Sequence, residues 1–100
     1  VQSKRTGRPR AVTRRRCAMA KRIYDLGRVD AAMLALEAAA WLDDGAARPH
    51  RDLANLYYLQ GRVGDAVREQ NAAVQRAPRS EALRSNLAAL EAALGTPTPH

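Results

Sequence analysis

Few side chains in this sequence stand at spacings that would let them make or break a covalent bond. Cys17 has Arg14 three residues before it and Lys21 four residues after it, so on a helix the three share one face. Neighbouring cations lower the pKa of a thiol and raise its reactivity; the plainer expectation is a small side chain with no redox role. His50 follows Pro49 at the start of a helical pattern and lacks an evident acid or nucleophile partner, so no catalysis is expected of it. Asp43 and Asp44 read as a solvated helix end. Only His50 and His100 accompany the single cysteine, too few donors for a structural zinc site. With no Gly-rich phosphate loop and no paired-carboxylate constellation, the expectation is a protein that is not an enzyme and carries no metal or cofactor.

Charge is the stronger signal. The 100 residues carry a net +7, yet residues 1–28 alone hold ten Lys or Arg against one acid, Asp25. The rest of the chain is therefore slightly acidic, at −2. Lys4, Arg5, Arg8, Arg10, Arg14, Arg15 and Arg16 form a basic arm on a nearly neutral body, and arms of this kind meet nucleic acid, anionic lipid or acidic proteins. At 46% apolar and 27% charged residues the chain has the balance of one soluble domain. No apolar run approaches the roughly 18–20 residues of a membrane span, and no signal peptide follows the basic start, which favours a cytoplasmic location. One cysteine excludes an internal disulfide framework.

The elements that must position these groups are helices. Alanine is abundant, Phe is absent and β-branched residues are scarce; alanine favours helix and lets helices approach closely. An internal repeat with a fixed period organises them. Gly27-Arg28-Val29 recurs as Gly61-Arg62-Val63, Ala20 and Tyr24 recur as Ala54 and Tyr58, and Ala32, Ala38 and Ala39 as Ala66, Ala72 and Ala73. A further period brings Leu53, Ala54 and Gly61 to Leu87, Ala88 and Gly95. Five helices follow: about 13–26 with Met19, Ala20, Ile23 and Leu26 buried, 29–43, 49–60, 63–77 and 81–95. Gly27 and Gly45 end the first two, Pro78 stops the fourth, and Ser80 caps the fifth. Leu36 and Trp41 reach toward the next repeat.

The stretch Leu53-Ala54-Asn55-Leu56-Tyr57-Tyr58-Leu59-Gln60-Gly61, with Ala66, Ala73 and Pro78 behind it, resembles the tetratricopeptide repeat (TPR) family. The resemblance covers about residues 13–95, with units at 13–46 and 47–80 and a half repeat or capping helix at 81–95. Departures are Arg16, His50 and Arg84 where the family often has Trp, and Gln70 where an aromatic is common. The resemblance implies an all-α, right-handed superhelical stack of antiparallel helix pairs. It also implies a concave groove, lined by the first helix of each pair, that holds an extended peptide. Carried over, the groove positions are Arg14, Cys17, Lys21 and Tyr24, then Arg48, Arg51, Asn55 and Tyr58, then Ser85 and Asn86. Four cations, two amides and two phenols suit carboxylates and peptide backbone.

Lys4-Arg5-Thr6-Gly7-Arg8-Pro9-Arg10 resembles the AT-hook, a short arm that lies in a minor groove, with Thr6 where that motif usually has Arg. Residues 1–12 and 96–100 have no periodicity and are expected to be flexible. The leading expectation is a protein–protein interaction module whose partner is acidic or extended. Nucleic-acid binding through the arm, and self-assembly or docking within a larger polypeptide, are its rivals, since two and a half repeats leave open ends.

Overall fold

The computed structural model describes residues 9–95, which form five helices, α1 (Pro9–Asp25), α2 (Val29–Leu42), α3 (Arg48–Leu59), α4 (Val63–Arg76) and α5 (Glu81–Gly95). Among the described residues there is no strand. The expected arm residues before Pro9 and the tail 96–100 lie outside the described residues. Each helix packs on the next, and α1 also touches α3. Loops of three to five residues make sequential helices antiparallel neighbours.

The period of the sequence is written into the backbone. α4 starts and stops one period after α2, and α3 stops one period after α1. Both first turns end in the same way. Gly27 (φ 84°) and Gly61 (φ 79°) adopt the left-handed conformation that a side chain opposes. Their N–H groups donate to the carbonyls of Tyr24 and Tyr58 (2.8 and 2.9 Å), and the next N–H groups, of Arg28 and Arg62, reach back to those of Ile23 and Tyr57 (3.1 and 2.9 Å). This pair of bonds satisfies carbonyls that a helix end leaves free. Asp30 and Asp65 then sit in the first turns of α2 and α4, where the positive end of the helix dipole favours them.

Alanines set the distance between helices. Ala32, Ala39, Ala66 and Ala73 are fully buried, and Ala20 and Ala54 nearly so. Around them Leu36, Leu53, Leu56, Tyr57 and Met33 fill the core. At the far end, Ser80 caps α5 as expected, its Oγ accepting the Leu83 N–H at 3.2 Å. Gln70, a departure from the expected aromatic, is buried and donates from Nε2 to the Leu83 carbonyl at 3.0 Å. An amide thus ties α4 to α5, and its donor is satisfied.

Three expectations fail for identifiable reasons. α1 begins at Pro9 rather than near Thr13, because proline is pre-organised for the first helical position and the added turn is anchored. Arg10 Nε and the Thr13 hydroxyl both donate to Asp43 Oδ2, at 2.9 and 2.6 Å. For the same reason Asp43 is not a solvated helix end; its side chain is 11% exposed, against 91% for Asp44. Met19 (51% exposed), Leu26 (76%) and Trp41 (84%) are not buried, since among the described residues no helix covers that side of α1 and α2.

Candidate functional site

A groove of about 390 Å³ opens where α1 faces α3, with Leu36 of α2 at its base. Ala20, Leu36 and Leu56 give it an apolar floor beside the Cys17 side chain. Its rim carries Lys21, Tyr24 and Asp25 from α1 and Arg48, Arg51, Asp52 and Asn55 from α3. Lys21 and Asn55 are one repeat apart, as are Cys17 and Arg51, so each pair occupies equivalent turns of equivalent helices. The volume falls in the range of small-ligand clefts, about 300–1,000 Å³.

Five of the expected groove residues, Lys21, Tyr24, Arg48, Arg51 and Asn55, meet in this one place together with Cys17. Arg14, Tyr58 and Asn86 are exposed and do not line it. The expected lining of cations, amides and phenols held no acid, and two carboxylates correct that. Asp52 takes Arg48 Nε at 3.4 Å and Arg51 Nη2 at 3.0 Å, and Asp25 takes Lys21 Nζ at 3.0 Å. Three cations against two carboxylates leave one positive charge on the rim. The signal for this was present in the four-residue spacings Lys21–Asp25 and Arg48–Asp52, which pair on a helix surface.

The Cys17 thiol is pushed up to about 11, first by burial, then by the charge of Asp52, with Arg48 and Arg51 pulling the other way. It is a neutral thiol at pH 7, the reverse of the activation that Arg14 and Lys21 suggested. The cations that reach it come from α3, while Lys21 is turned to Asp25. His50 does have an acidic neighbour: its Nδ1 lies 2.8 Å from Glu69 Oε1, nineteen residues away across α3 and α4. Helix packing makes that pair, and local spacing gives no hint of it.

Of the candidate nucleic-acid residues, Lys4, Arg5 and Arg8 lie outside the described residues. Arg10 is engaged by Asp43. Arg14, Arg15 and Arg16 are exposed on α1, each turned about 100° from the one before it. Among the described residues no group of His, Cys, Asp or Glu has the arrangement of a metal site, and no helix is long and apolar enough to cross a membrane. No family model and no curated protein matches the chain.

Proposed function

We propose that this chain is a short helical-repeat module of the tetratricopeptide type, its helix pairs stacked in a right-handed superhelix, that captures an extended peptide between α1 and α3. The observation that carries the reading is the groove itself, walled by the first helix of each pair and lined by five side chains that the repeat register selects. Asn55 presents an amide that bonds both a donor and an acceptor of a passing peptide backbone. The Tyr24 ring offers a stacking face, and the floor of Ala20, Leu36 and Leu56 accepts a small apolar side chain.

Internal pairing shapes the partner. Arg48 and Arg51 already share Asp52, with about 36% and 42% of their side chains exposed. A guanidinium has five donors, so an incoming carboxylate binds its outer edge without displacing Asp52. The partner is therefore an extended segment with one acidic residue next to a small apolar one, rather than a polyanion. Micromolar affinity, about −8 kcal/mol, is the expected scale for such a contact.

The reading is tested by titrating the full chain against a labelled extended peptide of alternating Asp and Ala, and against its Lys counterpart. Binding of the acidic peptide alone, reduced about tenfold (about 1.4 kcal/mol) by Arg48→Ala with Arg51→Ala, is the expected result. Equal binding of both peptides, or no loss in the folded double variant, overturns it.

A further inference from the structure

The exposed apolar residues are not scattered. Met19 on α1 stands seven residues before Leu26, the first residue past the end of that helix, and on α2 Leu34 (66% exposed) and Trp41 have the same spacing. Each pair is interleaved with charge of one sign: Arg15 and Arg22 on α1, Asp30 and Glu37 on α2, all exposed. Both stretches, 15–26 and 30–41, thus repeat the order charge, apolar, charge, apolar at steps of four, three and four residues. Seven residues are nearly two helical turns, about 10.5 Å, so the two stripes match in length and in spacing. None of these four charged residues joins an ion pair among the described residues.

The internal repeat indicates what such a face does when it is covered. One period on from Arg15, Met19 and Arg22 stand Pro49, Leu53 and Leu56, all buried. These sit on α3, which α2 packs against. α1 has the same docking face with two of its apolar positions changed to arginine. A helix that fills it must bring apolar side chains and carboxylates together, and the outer face of α2 carries both. It cannot cover α1 of its own chain with that face, because its alanine face already does so. The stripe lies on the far side of α1 from the groove, since Met19 is about 200° around the helix from Cys17.

We infer that two copies of this chain pair through their α1–α2 hairpins, α1 of each docking on the outer face of α2 of the other. A two-fold axis parallel to the helices places α1 opposite the partner's α2 on both sides at once, the self-complementary arrangement of a cyclic dimer. Residues level with one another in one hairpin stay level across that axis. Arg22 then comes about level with the partner's Asp30, and Arg15 with the partner's Glu37, each offset by about 3 Å along the axis, a gap that an arginine side chain spans. Large apolar side chains of both copies leave water together, and one charge set neutralises the other.

Trp41, the only tryptophan, reports the event. Sedimentation of the full chain across a concentration series should show the mass doubling in the micromolar range, with Trp41 emission shifting to the blue and quenching by acrylamide falling in step. Two charge-reversed variants, one carrying Arg15→Glu with Arg22→Glu and the other Asp30→Lys with Glu37→Lys, should each stay monomeric. Mixed in equal amounts, they should dimerise, because each then meets the opposite sign at both contacts. Helical content by circular dichroism verifies that both fold, and the wild-type mass and emission stand without them. A monomer at every concentration, a dimer that leaves Trp41 in water, or variants that fail to pair on mixing would each overturn the inference. So would a monomer whose Trp41 shifts only on anionic vesicles, which gives the face to a lipid surface.

Discussion

The two helix hairpins, α1–α2 and α3–α4, share a backbone and differ in surroundings. Both close through a left-handed glycine with the same two hydrogen bonds, and both bury alanines at equivalent positions. Yet Leu53 is 2% exposed and its equivalent Met19 is 51% exposed. Local residues dictate the turn and the close approach of the helices, whereas burial of the outer face depends on which neighbour stands beside it. α3 has α2 on one side and α4 on the other; α1 has α2 and the edge of α3.

Paired substitutions turn that contrast into energies. Leu53→Ala should cost about 2–4 kcal/mol, a cavity in a packed core, while Met19→Ala in dilute, monomeric solution should cost under about 1 kcal/mol. Urea unfolding of the two variants measures this, and similar losses would break the contrast. Asp43→Ala comes next, at about 1–2 kcal/mol, since it removes the acceptor of both Arg10 and Thr13. Burial pushes the Asp43 carboxyl up, but the Thr13 and Arg10 hydrogen bonds outweigh it and leave its pKa below the usual carboxylate range. A lowered folded-state pKa stabilises above the unfolded value, about 3.9. The gap between wild type and Asp43→Ala should therefore be full at neutral pH and close as pH falls below about 4.

Gly27→Ala and Gly61→Ala should each cost about 1 kcal/mol. Neither meets an atom within 4 Å of the added carbon, so the penalty is backbone conformation alone and should be equal in the two hairpins. Thermal unfolding reads it, and unequal shifts would show that the two turns are not equivalent. The smallest effect concerns Cys17, 1% exposed with its thiol pushed up to about 11. Alkylation of the native chain at pH 8 should be slow and become fast on unfolding; rapid native labelling would contradict its burial.

Much of this is legible in the residues. Glycine at a fixed period marks the turns, Pro78 and Ser80 bracket the last connection, and paired alanines mark the helix crossings, because each acts through its own backbone or its own small size. The groove is legible as far as Lys21, Tyr24, Arg48, Arg51 and Asn55. What escapes the reading depends on contacts between helices: Asp43 receiving Arg10 and Thr13 from far along the chain, His50 against Glu69, and Gln70 donating across to α5. Met19, Leu26 and Trp41 lie outside the core because apolar periodicity tells which residues share a face, and not whether anything covers it.

The most direct test of peptide capture is nuclear magnetic resonance of the isotope-labelled full chain during titration with the acidic extended peptide. Shifts should gather at Lys21, Tyr24, Arg51 and the Asn55 side-chain amide, saturate in the micromolar range, and leave the Trp41 indole unmoved. Shifts centred on Tyr58 and Asn86, or none at saturating peptide, would contradict a groove between α1 and α3.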